Sequence, residues 1–219
     1  MSVNGAPSLI HEVLPVGFLQ CNCHVVGDPE TREAIVLDPG DETDRILEVL
    51  RGHDLRVKYI VITHAHPDHV GGAARLKAAT GAPVLMNPDD KWLLENVPMQ
   101  CAAFGFPAPP AVAMDAPLAD GAEIRWGRDL RALALHTPGH TPGSSCLYLP
   151  ERKLVFAGDT LFAGSIGRTD LWGGSYEKIL RSIHSSLLAL DDDTVVFPGH
   201  GPETTIGEER ERNPFLQGL

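Results

Sequence analysis

Short apolar runs open the chain at LIHEVLPV (9–16), LQCNCHVV (19–26) and EAIVLD (33–38), with Gly-Asp-Pro and Asp-Pro-Gly at their ends. Runs of this length, rich in β-branched residues and bounded by turn residues, predict strands. After Asp41 the period changes. DETDRILEVLRG (41–52) sets Ile46, Leu47, Val49 and Leu50 at helical spacing, with carboxylates in the first turn and Gly52 at the end. That helix leads to a strand at VKYIVI (57–62). A second helix is predicted over 68–79 with Gly81 as its stop, then a strand at 82–86 and a short third helix over 88–95. The next stretch, VPMQCAAFGFPAPPAV (97–112), fits neither period and reads as a loop, either a cap over a cleft or a contact surface.

The second half repeats the arrangement. GAEIRWG, LRALALH, SSCLYLP and KLVFAG predict strands, SYEKILRSIHSSLLAL (175–190) a helix, and TVVFPG a last strand. Two sets of strands, each followed by helices, fit an α/β fold built as an αββα four-layer sandwich. With 43% apolar residues and no low-complexity linker, 1–219 is expected to form a single domain.

Charge and cysteine content narrow the function. Acidic residues outnumber basic ones, 29 to 18, and no Lys/Arg run offers a path for phosphates, so nucleic acid is not an expected partner. No apolar run approaches the roughly 18 residues that cross a bilayer. The start, MSVNGAPSLIHEVLPVGF, has no basic leader and is broken by Pro15 and Gly17, which points to a cytoplasmic protein. Cys21, Cys23, Cys101 and Cys146 form no CxxC pair and are expected as reduced thiols in strands and loops.

The chemistry lies where strands end. YIVITHAHPDH, LALHTPGH, LVFAGD and VVFPGH each run from an apolar strand into a turn carrying histidine or aspartate. Rigid strands can aim such turns into one cleft. His64, His66, Asp68 and His69 place four imidazole or carboxylate groups within six positions, and Zn²⁺, Fe²⁺ and Mn²⁺ all accept these donors. Gly71 and Gly72 behind them let backbone crowd the site. The remaining histidines, His11, His24, His53, His136 and His184, are assigned no role. Trp92, Trp126 and Trp172 read as packing groups, although Trp172 could instead border the cleft.

The HxHxDH cluster, with His140 in TPGHTPGS, Asp159 in AGDTLF and His200 in FPGHGPET, resembles the metallo-β-lactamase superfamily across nearly the whole chain. The resemblance implies that His64, His66 and His140 hold one divalent ion and that Asp68, His69 and His200 hold a second. Asp159 would bridge the two, with zinc as the first expectation and iron or manganese as alternatives. Asp68 and Asp159 would then flank a metal-bound hydroxide as the catalytic centre. Asp38 in VLDPG matches a position that supports the ligands by hydrogen bonds, or it simply forms a turn before Pro39. GDTLFAGSIGRTD (158–170) is similar to glyoxalase II-like proteins, which implies a substrate-binding Arg168 and a small thioester substrate, with or without a glutathione moiety. The other reading of Arg168 is an ion pair with Asp170. Only nineteen residues follow His200, so the pattern fits short, single-domain members, acting as monomer or homodimer. His69 disfavours β-lactam hydrolysis, since zinc β-lactamases typically replace it. Persulfide dioxygenase, lactonase and a non-catalytic metal-binding module remain as alternatives.

Overall fold

In the first half, strands β1 (Ile10–Val16), β2 (Cys21–Gly27) and β3 (Glu33–Leu37) form an antiparallel meander. The coordinates are a computed structural model describing residues 9–217. The first eight residues, where the segment read as lacking a leader begins, and the last two lie outside the described residues. Helix α1 (Thr43–Gly52) buries Ile46 and Leu50 and returns the chain to β4 (Arg56–Ile62), parallel to β3. Two short helices, α2 (Pro67–Val70) and α3 (Ala73–Thr80), lead to β5 (Val84–Met86). A 3-10 turn at Pro88–Asp90, then α4 (Lys91–Glu95) and α5 (Val97–Phe104), precede β6 (Ala116–Pro117). These strands make one six-stranded sheet in the order β1-β2-β3-β4-β5-β6.

The second sheet begins with β7 (Glu123–Trp126), β8 (Leu130–His136), β9 (Ser145–Leu149) and β10 (Leu154–Gly158). A small hairpin follows, β11 (Leu161–Phe162) and β12 (Ser165–Ile166). Helix α6 (Tyr176–Ser182), capped by the Ser175 hydroxyl, continues as a π segment over Ile183–Leu187. The chain closes with β13 (Val195–Pro198), β14 (Thr204–Thr205) and α7 (Ile206–Arg212), giving the order β14-β13-β10-β9-β8-β7.

The layers follow from which side chains are buried. Val26, Ile35, Leu37 and Val61 from the first sheet meet Ile124, Trp126, Leu147 and Phe156 from the second. The opposite face of the first sheet, with Val36, Ile60, Ile62 and Val84, is covered by Ile46, Leu76, Leu93 and Val97 of the helices. Ile179, Ile183, Leu187 and Ile206 cover Val155, Ala157 and Val196 on the other side. Each fully buried aliphatic or aromatic side chain contributes about 1.5 to 3 kcal/mol. Strand β3 is buried on both faces, which explains why EAIVL shows no alternation. The αββα sandwich expected from the sequence is what forms.

Three local expectations need correction. Residues 97–104 are helical rather than looped. Pro98 sits in the first turn, where its missing N–H costs nothing, and Gly105 ends the helix at φ +73°. Exposed Met99 and Phe104 on the outer face hide the helical period that buried Val97, Gln100 and Cys101 would otherwise show. Cys101 therefore lies in a helix, not in a strand or loop. The predicted helix over 68–79 is split at Gly71 and Gly72, because the Asp38 to Gly40 turn passes there: Gly72 N donates to the Pro39 carbonyl at 2.8 Å. A Cβ on Gly71 would stand 2.4 Å from the Gly40 carbonyl oxygen. Trp126 is a core residue and Trp172 packs against the first outer layer, but Trp92 is exposed on α4.

Candidate metal centre

Four strands deliver the site. β4 ends at Ile62, and Thr63 to His66 run from it into α2. The turn after β8 carries His140, the turn after β10 carries Asp159, and the turn after β13 carries His200. Side chains more than seventy residues apart in sequence meet here: His64 Nε2 lies 3.2 Å from His140 Nε2, and His66 Nδ1 lies 2.9 Å from His140 Nε2 and 3.1 Å from His64 Nε2. His64, His66 and His140 thus form one compact, buried donor group.

A second group adjoins it. His200 Nε2 is 3.1 Å from Asp68 Oδ2, and His69 Nε2 is 3.7 Å from the same oxygen. Asp159 stands between the groups, with Oδ1 3.4 Å from His69 Nε2 and Oδ2 3.6 Å from His140 Nε2 and 3.7 Å from His200 Nε2. The seven residues singled out in the sequence are all drawn together, with Asp159 facing both groups.

The surroundings fix which imidazole nitrogen is free. His69 Nδ1 donates to Asp38 Oδ2 at 3.0 Å, His140 Nδ1 to the Arg168 carbonyl at 2.7 Å, and His200 Nδ1 to the Leu19 carbonyl at 3.0 Å. Thr63 Oγ1 gives its proton to Asp38 Oδ2 at 2.7 Å and so accepts from His64 Nδ1 at 3.1 Å. In each case the Nε2 lone pair is left pointing into the cluster, the tautomer a metal requires. Asp38 itself is buried in a left-handed conformation (φ +48°) and also accepts from Thr63 N at 2.8 Å.

These residues fit divalent ions. His69 Nε2 and Asp159 Oδ1, which face each other in the cluster at 3.4 Å, are buried without a hydrogen-bond partner, and each such atom costs about 1 to 3 kcal/mol unless something satisfies it. Neutral imidazoles that face one another through lone pairs lack a shared proton, and a cation between them removes the repulsion.

Electrostatics point the same way. Burial, then the neighbouring His140, pushes His66 down to about 3. Burial opposes ionisation of Asp159, but the imidazoles of His69, His140 and His200 outweigh it and hold its carboxyl well below the usual range. Burial also opposes a charge on His69, and Cys21 Sγ lies 3.5 Å from its Nδ1. Because burial pushes the Cys21 thiol up to about 12, it is neutral near pH 7, and the carboxylates of Asp159, Asp68 and Asp38 are what hold His69 well above its ordinary value. For His200, burial is outweighed by the Asp68 hydrogen bond and the Asp159 charge, and its pKa is raised. The protonated form of His69 or His200, which a raised pKa favours, carries a proton on Nε2 that must be released before that nitrogen can bind a metal. Adding Zn²⁺ to the metal-free chain at pH 7 is therefore expected to release protons, and affinity should climb as pH rises through the raised imidazole pKa. Zinc uptake without acidification of a weakly buffered solution would contradict this charge balance.

Several contributors have no signature in the sequence. Asp90, fully buried after β5, accepts from Ala65 N at 2.9 Å, Thr141 Oγ1 at 2.8 Å and Gly143 N at 2.6 Å. Gln100 Nε2 on α5 donates to the Ala65 carbonyl at 3.0 Å. The peptide between His64 and His66 is thus held from both sides. Asn22 Nδ2 on β2 donates to the carbonyls of Pro198 (3.0 Å) and Gly201 (2.9 Å), gripping the His200 turn. Arg168 points its guanidinium at Asp170, with Nε–Oδ1 2.7 Å and a second bond of 2.8 Å. Of the histidines assigned no role, His11 and His24 contact each other at 3.1 Å between Phe156 and Phe197.

Comparison with known proteins agrees with this arrangement. The family model of the metallo-beta-lactamase superfamily matches residues 16–200. The chain is 41% identical to the hydroxyacylglutathione hydrolase GloC of Haemophilus influenzae, over 94% of this chain and 97% of that one. It is 30% identical to the human mitochondrial persulfide dioxygenase ETHE1, over 97% of this chain and 78% of that one. Among solved structures, the BLEG-1 B3 metallo-beta-lactamase superimposes with a TM-score of 0.89 at 36% identity, covering 95% of this chain and 100% of that one. The di-iron-bound form of TTHA1623 gives 0.84 at 40% identity, covering 94% and 100%. Four strand ends bringing five imidazoles and two carboxylates together, inside a match that spans residues 16–200, place this chain in the metallo-beta-lactamase superfamily.

Proposed function

We propose that the chain is a single-domain, dinuclear metallohydrolase that cleaves acylglutathione thioesters of the S-lactoylglutathione class. The observation that carries this reading is the pairing of two complete donor groups through Asp159, supported by the 41% identity to GloC. His64, His66 and His140 would hold one ion, Asp68, His69 and His200 the other, with Asp159 shared and zinc the expected metal. When bound, the two ions would polarise the thioester carbonyl and lower the pKa of water towards ~7, making hydroxide available near neutral pH.

The chain's own groups do the rest. Asp159 is nearly enclosed, while Asp68 is the more open carboxylate; with Oδ2 facing His69 and His200, its other oxygen, Oδ1, would accept a proton from the attacking water and pass it to solvent. A departing thiol has a reference pKa of about 8.5 and leaves as thiolate, so no further acid is required. Asp38, Thr63 and the carbonyls of Leu19 and Arg168 keep the imidazoles aimed. Four free, buried cysteines among the described residues suit a reducing cytoplasm. No described helix is long and apolar enough to cross a membrane.

A second reading, a persulfide dioxygenase using one iron, is favoured by the identity to ETHE1, and the likeness to BLEG-1 adds a β-lactam to the substrates worth assaying despite His69. Elemental analysis of the purified protein, run beside hydrolysis of S-lactoylglutathione and oxygen uptake with glutathione persulfide, separates them. About two ions per chain with thioester turnover supports the hydrolase, whereas one iron with oxygen uptake makes it a dioxygenase.

Arg168 is the proposed anchor for the anionic end of the substrate, and its ion pair with Asp170 must then open. Arg168→Ala is expected to raise KM for S-lactoylglutathione about tenfold, the worth of one charged hydrogen bond, with a smaller effect on kcat. An unchanged KM would remove this role from Arg168.

A further inference from the structure

The β11–β12 hairpin joins Asp159 to Arg168: it begins two residues after the one and ends two residues before the other. Only two residue pairs cross it, Leu161 with Ile166 and Phe162 with Ser165, so the ladder is too short to hold itself in place. At its base, Gly167 N donates to the Thr160 carbonyl at 3.3 Å. A Cβ on Gly167 would stand 1.8 Å from the Asp159 carbonyl oxygen, so backbone touches backbone there. Arg168 follows at once, and its carbonyl accepts from His140. A tilt of the hairpin therefore swings Arg168 relative to the donor groups.

The tip is fastened from outside. Gly164 N, in the left-handed turn residue (φ +69°), donates to Glu209 Oε2 at 2.9 Å, and the Ser165 carbonyl accepts from Asn213 Nδ2 at 3.0 Å. Asn213 Nδ2 also donates to Glu209 Oε2 at 2.7 Å, and Thr204 Oγ1 donates to Glu209 Oε1 at 2.7 Å. Glu209 lies on α7 and Asn213 directly follows the helix, four residues on, so both side chains face the hairpin, and both are buried. The Glu209 carboxylate is met by neutral donors, because the two arginines of α7 face Asp192 and Glu211 instead.

Burying a carboxylate without a cation is costly. Packing alone does not require it, since Ile206 and Leu216 already share one core with Leu161 and Ile166. What the carboxylate adds is a single point that accepts from three donors at once, which ties the hairpin tip to α7.

We propose that Glu209 and Asn213 are positioning residues that pin the hairpin tip and thereby hold Arg168 at the reach from the metal centre that substrate binding needs. Helix α7, which supplies no metal donor, then sets substrate affinity. This rests on the thioesterase reading above and on Arg168 as its anchor.

The test measures metal content, hydrogen exchange and steady-state kinetics on the metal-loaded protein and on Glu209→Gln and Asn213→Ala, each alone and combined with Arg168→Ala. Binding of the inert thioether S-methylglutathione is measured by calorimetry alongside. Loss of a tip bond is expected to speed amide exchange across Gly164 to Gly167 about tenfold. With metal content unchanged, each variant should raise KM for S-lactoylglutathione about fourfold and leave kcat within about twofold. In the Arg168→Ala background the same substitutions should add nothing, since the contact they position is already gone. A KM that rises equally in both backgrounds, rises only with loss of metal, or does not rise at all would overturn the proposal. So would unchanged exchange at the tip. If the parent protein turns over no thioester yet binds the thioether, and both variants weaken that binding, the pinning role stands and the thioesterase reading falls. A parent that neither turns over the thioester nor binds the thioether would overturn both.

Discussion

Asp159→Ala is expected to leave at most about one metal ion per chain and to lower kcat/KM at least about a thousandfold. The carboxylate lies 3.4 to 3.7 Å from Nε2 of His69, His140 and His200, and among the described residues no other carboxylate lies within 4 Å of imidazoles from both donor groups. With the two proposed ions bound, removing it would leave two dications facing each other across five neutral imidazoles, with Asp68 the remaining carboxylate of the donor groups. One ion is then lost, and with it the carbonyl polarisation and the supply of hydroxide, each worth several kcal/mol of barrier. Asp159→Asn keeps the shape but supplies no bridging charge, and should behave almost as poorly. Elemental analysis and thioester kinetics on both variants check this. Two tightly held ions with near-normal turnover in Asp159→Ala would remove Asp159 from the centre of the site.

The site is legible in the sequence because its ligands sit at one kind of place. An apolar strand ending in a Gly- or Thr-containing turn is visible in the residue order of VVFPGH or LVFAGD, and imidazole and carboxylate are types a plain turn does not need. The glycines behind the HxHxDH cluster are legible for the same reason: a Cβ on Gly40 would fall 1.6 Å from the Asp68 carbonyl oxygen, so backbone must touch backbone there. Asp38 apart, the groups that orient the ligands are not legible. Leu19 and Arg168 act through carbonyls, which every residue possesses, so their role depends on where the fold places them. Asp90 lies in a run, NPDDKW, whose carboxylates read as an ordinary first helical turn. Helix α5 escapes because apolar residues cover both of its faces, although Pro98 and Gly105 mark its ends. Phe104 and Phe106 stand out in an apolar segment, while the meeting of Phe106 with Phe18 and of Phe104 with Trp172 is a consequence of folding alone.

Asp90→Ala tests whether one buried carboxylate, distant in sequence from every ligand, sets the geometry of the first donor group. Asp90 Oδ2 accepts from Ala65 N, between His64 and His66, and from the hydroxyl of Thr141, next to His140; Oδ1 accepts from Gly143 N. It is therefore the tie between two turns that carry all three imidazoles of that group. Alanine strands three buried donors, each costing about 1 to 3 kcal/mol when unpaired. Because the turns can relax or admit water, a net loss of about 3 to 5 kcal/mol is expected, or roughly a 10 °C fall in Tm for a chain of this size. A purely structural role would stop there. A positioning role adds a selective loss: affinity for the ion held by His64, His66 and His140 should fall at least about tenfold. The imidazoles of His69 and His200 are oriented by Asp38 and the Leu19 carbonyl, so the ion proposed at Asp68, His69 and His200 should be held as before. Stepwise zinc titration of Asp90→Ala against Asp38→Ala reads the difference, since Asp38→Ala should weaken the other ion first. Equal weakening of both ions by Asp90→Ala would reduce it to a stabilising residue, and an unchanged Tm would mean that the three hydrogen bonds do not hold the turns together.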